Sequence, residues 1–228
     1  MQKFDAYLFD LDGTLLDSLG MWSGLDGVFL AKRGLSAGPD YTAAVSAMSF
    51  EEAAAYTVGR FGLAETPEQL VREWESLAET AYRESIPLKP GAEGFLRRAK
   101  ASGGKLAVAT ALPPRLYGPV LTRNGVFGLF DAFASVGEVK RGKGFPDVYL
   151  LAAERLGVQP ARCAVFEDVL PGIRGAKAAG MTAVGFYDAA SAPDEARIRA
   201  EADMYLEGWP SGEEKWEKQE VAKQDVQF

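Results

Sequence analysis

Phe4-Asp5-Ala6-Tyr7-Leu8-Phe9-Asp10-Leu11-Asp12-Gly13-Thr14-Leu15 is where the chain first commits itself to a structure. The run Phe4–Asp10 is short, aromatic and apolar and ends in an acid, so it reads as a buried strand. Residues two apart in extended chain point to the same side, which would project Asp10 and Asp12 together from the strand's C-terminal end. In open α/β sheets, ligands sit just beyond those ends. Two close carboxylates repel unless one is protonated or a cation bridges them. A plain reading also fits: Asp10 ends a strand and Asp12-Gly13 makes a turn.

Working outward, similar apolar runs recur at Lys105–Thr110, Ala132–Val136, Arg162–Asp168 and Thr182–Tyr187, with a weaker one at Met204–Leu206. Helical patterns lie between them at Gly91–Ala101, Pro113–Asn124, Pro146–Leu156 and Pro171–Ala179; several begin at proline and stop at glycine. Short apolar strands alternating with such helices predict βαβ units, hence an α/β fold with a Rossmann-like parallel sheet. Residues 17–87 break the rhythm. They hold no convincing strand, and apolar residues fall at helical spacing in Met21–Leu30, Tyr41–Met48, Phe50–Phe61 and Pro67–Ile86. We therefore expect an α/β core over 1–16 and 88–207, an inserted α-helical domain over 17–87, and a charged tail over 208–228.

Composition narrows the chemistry. At 228 residues and 47% apolar content, the chain can bury a full core without metal or disulfide, and general disorder is excluded. The absence of His rules out Ser-His-Asp and Cys-His catalysis and His-ligated zinc or haem. A single cysteine, Cys163, can form no intrachain disulfide. A net charge of −7 without a basic stripe argues against nucleic acid as a partner. Met1–Ala6 lacks the apolar run of a signal peptide, and charges or glycines interrupt every apolar stretch. A cytoplasmic protein without a membrane span is the expectation, with a monomer as the default.

Three further segments could carry chemistry. Glu167-Asp168 follows an apolar strand; with Asp10 and Asp12 it would make a hard oxygen site suited to Mg2+, or else cap the helix near Pro171. Thr110 ends Lys105–Thr110 and could donate to an anionic oxygen, or be an ordinary strand threonine. Lys143, between Gly142 and Gly144, could approach a ligand closely, or be a solvated loop lysine. All of them fall at or soon after predicted strand ends on one sheet edge.

In that order (acid pair, hydroxyl, lysine, acid pair) the residues resemble the four motifs of the haloacid dehalogenase superfamily. Asp10-Leu11-Asp12-Gly13-Thr14 looks like its first motif and Thr110 its second. Lys143 with Pro146-Asp147 looks like the third, and Glu167-Asp168 with Gly172 and Ala176–Gly180 the fourth. The helical insertion resembles the family's small cap, and the nearest subgroup is that of the β-phosphoglucomutase-like phosphatases. The resemblance implies a phosphatase of small phosphorylated metabolites. Asp10 would be the nucleophile, forming an aspartyl-phosphate, and Asp12 the general acid and base. Thr110 and Lys143 would hold phosphoryl oxygens. Mg2+ would be held by Asp10, the Asp12 carbonyl, Glu167 and Asp168, and the cap would close over the substrate. Candidate cap contacts are Trp22, Lys32, Arg33, Arg60 and Tyr82, with Arg115 after the second motif; each also fits an ordinary packing or surface role.

Some positions depart from the pattern. Gly144 stands where a proline is usual, Leu112 where a small polar residue often follows the second motif, and Val169 where Ser is common. Phosphomutases of this subgroup carry a His after the first motif and a cap Arg; by rough register those positions hold Trp22 and Phe50. Water is then the expected acceptor, with a phosphomutase as the alternative and a non-catalytic binding protein or a phospho-accepting receiver as more remote ones.

Overall fold

A computed structural model describes residues 4–45 and 50–210. Among them, six strands form one parallel sheet: β1 (Ala6–Phe9), β2 (Lys105–Thr110), β3 (Ala132–Ser135), β4 (Cys163–Glu167), β5 (Thr182–Phe186) and β6 (Met204–Leu206). Their spatial order is β3-β2-β1-β4-β5-β6. The chain builds outward from β1 to β3, then returns to the other side of β1 for β4 to β6. That reversal creates the crevice at which doubly wound sheets bind ligands.

The insertion forms helices α1 (Leu19–Ala31), α2 (Pro39–Val45), α3 (Phe50–Phe61) and α4 (Pro67–Glu84). The chain divides into two compact units, Ser18–Ile86 and the remainder on either side of it. In the helical unit, Phe29, Leu30, Tyr41, Ala54, Leu70 and Trp74 form the core. Thr66 starts α4 with a capping box: its hydroxyl accepts from Gln69 N, and Gln69 Oε1 accepts from Thr66 N. The two chain crossings leave the α/β unit side by side, Asp17 N donating to Pro87 O and Lys89 N to Leu15 O.

The α/β unit adds α5 (Ala92–Ala101), α6 (Pro114–Arg123), α7 (Asp147–Leu156), α8 (Leu170–Ala178) and α9 (Glu195–Glu201). Side chains alternate across the sheet as the strand period requires. On one face, Phe9 stacks on Phe166 at 5.0 Å, with Phe95, Phe186 and Trp209 around them. On the other, Leu8, Ala107, Val165 and Ala183 pack with Tyr149 of α7 and Ile173 of α8. No helix among the described residues is long and apolar enough to cross a membrane.

Two features differ from expectation. Helix α9 was not anticipated: it is seven residues long and buries only Ile198, too little to leave a periodic signal. The tail also starts later than residue 208. Trp209 is buried, and its Nε1 donates to Thr14 O at 3.0 Å. An indole that can fill the aromatic layer and still satisfy its N–H belongs to the core. Residues 211–228, with Trp216, Val221 and Phe228, lie outside the described residues.

Candidate active site

The loop after β1 is a tight knot. Leu11 O accepts from the N–H groups of Thr14, Leu15 and Leu16 at 3.2, 2.9 and 2.8 Å. Gly13 has a φ of 76°, which a side chain would resist. Leu11, Leu15 and Leu16 are buried, anchoring the loop from below, while Asp10 is buried at the strand end and Asp12 is half-buried.

Strand register then brings the acids together. Phe9 of β1 pairs with Phe166 of β4, and Asp10 N donates to Phe166 O at 3.0 Å. Asp10 and Glu167, the next residue on each strand, are therefore neighbours across a spacing of about 4.8 Å. One oxygen each from Asp10, Glu167 and Asp168 lies within 4.8 Å of the others, and all three residues are buried. Lys143 reaches in from the loop before α7. Its ammonium pairs with Asp10 Oδ1 and, at 2.9 Å, with Glu167 Oε1. Arg141 clamps that loop through Asp147 at 2.6 Å.

Hydroxyls surround the acid pair. Tyr149 OH donates to Glu167 Oε1 at 2.9 Å. Thr14 Oγ1 donates to Asp168 Oδ1 at 3.0 Å, and Ser191 Oγ to Asp168 Oδ2 at 3.1 Å. Glu167 Oε2 is buried with no hydrogen-bond partner. Three carboxylates facing one ammonium leave excess negative charge in a dry pocket. Burial, then the Asp10 charge, pushes Glu167 and Asp168 above the usual carboxylate range, with Lys143 opposing. Burial alone would lower Lys143, but Asp10 and Glu167 outweigh it and hold its ammonium charged. Hard oxygen donors, an unpartnered carboxylate oxygen and surplus negative charge all fit a small divalent cation such as Mg2+.

Helix α8 fits this cluster because two of its residues lack side chains. A Cβ at Gly172 would lie 2.3 Å from the Glu167 carboxyl carbon. One at Gly175, a turn on and on the same face, would lie 2.0 Å from Lys143 O and 2.8 Å from the Tyr149 ring. Gly175→Ala is expected to push the Lys143 loop outward by about 1 Å and to lower turnover about 10²-fold. It should cost about 1–3 kcal/mol of stability, read by urea unfolding. Wild-type turnover in the folded variant would show that the loop tolerates the shift.

Of the residues singled out from sequence, the structure brings Asp10, Lys143, Glu167 and Asp168 into one cluster. Thr110 is buried at the end of β2; its Oγ1 accepts from Leu112 N at 3.1 Å and keeps its own proton to donate. Tyr82, in α4, is buried. Arg33 is engaged by Glu65 and Glu73 at 2.8 and 2.7 Å, Arg60 by Asp40 at 2.5 Å, and Lys32 lies 3.8 Å from Glu73. The side chains of Trp22 and Phe50 lie outside the described residues. Arg115 is exposed in the first turn of α6. Tyr149 and Ser191 were not anticipated. A tyrosine on an apolar helix face reads as core, and only Asp188, three residues before Ser191, signals the turn that places it, accepting from Ala190 N at 2.8 Å.

Residues 4–180 match the family model described as haloacid dehalogenase-like hydrolase. Fructose-1-phosphate phosphatase YqaB of Escherichia coli K12 is 30% identical over 80% of this chain and 96% of its own length. Hexitol phosphatase A of the same organism is 31% identical over 88% of this chain and 89% of its own. A Thermotoga maritima crystal structure, designated a candidate beta-phosphoglucomutase, superposes with a TM-score of 0.79 at 25% identity, covering 91% of this chain and 95% of that one.

Proposed function

The chain belongs to the haloacid dehalogenase-like hydrolase family, and on that premise we propose that it is a Mg2+-dependent phosphatase of small phosphorylated metabolites, sugar-phosphate monoesters first among them. The observation that carries the reading is the single buried cluster of Asp10, Lys143, Glu167 and Asp168. The named activities of the two Escherichia coli relatives support the substrate class.

Asp10, Glu167, Asp168 and the Asp12 carbonyl would hold the ion. Bound there, Mg2+ would offset repulsion between the Asp10 carboxylate and the phosphate dianion and draw charge from the phosphoryl oxygens. The chain's own groups do the rest. An Asp10 carboxylate oxygen attacks phosphorus and the ester P–O bond breaks. The Asp12 carboxyl gives its proton to the leaving alkoxide, so the alcohol departs neutral. The Asp12 carboxylate then takes a proton from water as that water attacks the aspartyl-phosphate. The acyl-phosphate P–O bond breaks, inorganic phosphate leaves, and Asp10 and Asp12 return to their starting states. Lys143 and Thr110 hold the phosphoryl oxygens, whose shared charge peaks in the transition state.

The test is free-phosphate release from a panel of sugar phosphates. Release with Mg2+, falling at least about 10²-fold when EDTA removes it, is the expected result. Equal rates with and without metal would overturn the reading. The likeness to the Thermotoga structure favours a second reading, a phosphomutase. That reading predicts an isomerised sugar phosphate without net phosphate release. The chain contains no His, the residue that the mutases of this subgroup carry after the first motif, so water is the favoured acceptor.

A further inference from the structure

We propose that Tyr149 is a positioning residue of the acid cluster: its hydroxyl holds Glu167 in the orientation that leaves Oε2 as the oxygen offered to a divalent cation. This rests on the reading of the cluster as a metal site. Tyr149 lies in α7, fully buried, on the sheet face opposite the aromatic layer. Its ring is seated closely against α8, where only a glycine at 175 leaves room for it. From that seat its hydroxyl donates to Glu167 Oε1 at 2.9 Å.

Lys143 Nζ lies on the same oxygen, also at 2.9 Å. Two donors occupy both lone pairs of Oε1, so the carboxylate cannot turn without breaking both bonds. Oε2 is left buried and without a partner. A buried carboxylate oxygen with no donor is costly, and a cation is the partner that suits it. The two donors are not equivalent. Lysine has a four-carbon flexible stem and, in the proposed reaction, also serves the phosphoryl group. The phenol has two torsions and a fixed seat, so it keeps its bond to Glu167 when Lys143 turns to a ligand.

The test is metal binding by the full chain without substrate, followed by calorimetric titration with Mg2+ and by the EPR signal of Mn2+. Tyr149→Phe, which removes only the hydroxyl, is expected to weaken binding about 10–100-fold, the usual cost of removing a group that orients a ligand. The Mg2+ concentration for half-maximal turnover should rise in parallel, while kcat at saturating Mg2+ returns to within about threefold of wild type. Leu156→Ala, buried in the same helix and core, is the destabilised control. It should lower Tm and leave metal affinity within about twofold. If Phe is poorly tolerated, Tyr149→Met, smaller but flexible enough to repack the site, also lacks the hydroxyl and serves for the same measurement. Unchanged metal affinity in a hydroxyl-free variant, with only Tm lowered, would overturn the proposal and leave the metal site standing. Absence of binding by the wild type would overturn the metal site itself, and Tyr149's role with it.

Discussion

Asp10→Asn is expected to lower phosphatase turnover by at least about 10⁴-fold while leaving the protein folded. The amide keeps the size and shape of the carboxyl but has no anionic oxygen to attack phosphorus. Substrate binding should survive, because in the proposed mechanism Lys143 and Thr110 would still hold the phosphate. The effect should therefore fall on kcat far more than on KM. Stability gives an independent readout of the same substitution. Asp10 contributes one of three buried acids and pushes both others upward in pKa. Removing its charge relieves that repulsion, so the metal-free variant should melt no lower than the wild type. A large fall in Tm would mean that Asp10 acts mainly as the structural partner of Lys143.

Lys143→Met is expected to act in the opposite sense on stability. The substitution preserves the length of the stem but leaves Asp10 and Glu167 without the cation that both now contact. Stripping one partner from a buried ion pair costs about 3–5 kcal/mol. The metal-free variant should lose about that much in denaturant unfolding, and added Mg2+ should restore part of it by supplying positive charge to the same oxygens. Turnover at saturating Mg2+ should still fall about 10²–10³-fold, because the donor proposed for the transferring phosphoryl group would be gone. Lys143→Arg should not rescue. A planar guanidinium is wider than an ammonium, and the loop is already pressed against Gly175, where not even a Cβ would fit. Full activity in Lys143→Met would remove the lysine from the chemistry.

How far such features can be read in advance depends on the distance over which each is determined. The strands were legible because parallel strands covered on both faces are continuous apolar runs, and Phe4–Asp10 and Arg162–Asp168 both end such runs in acid. Their convergence was legible only in part. The strand ends placed the acids on one sheet edge, but the contact itself needs β1 to pair with β4 across more than half the chain, and the resemblance to a family made the set specific. Gly172 and Gly175 were visible as glycines in a helix, but what they admit, the Glu167 carboxyl and Lys143 O, belongs to other segments. Trp209 stood alone before a charged stretch with no period to mark it, yet it closes the aromatic layer and holds Thr14 O. Arg33 and Arg60 looked available because their acid partners, Glu65, Glu73 and Asp40, lie far off in sequence.

The most direct measurement is an acid-quenched single turnover with Mg2+ and a sugar phosphate carrying ³²P, followed by proteolysis and mapping of the label. Label should appear on the peptide containing Asp10 before free phosphate accumulates, be released by hydroxylamine as an acyl phosphate is, and be missing from Asp10→Asn. Phosphate release at full rate with no label on the protein, or label on any other residue, would contradict it.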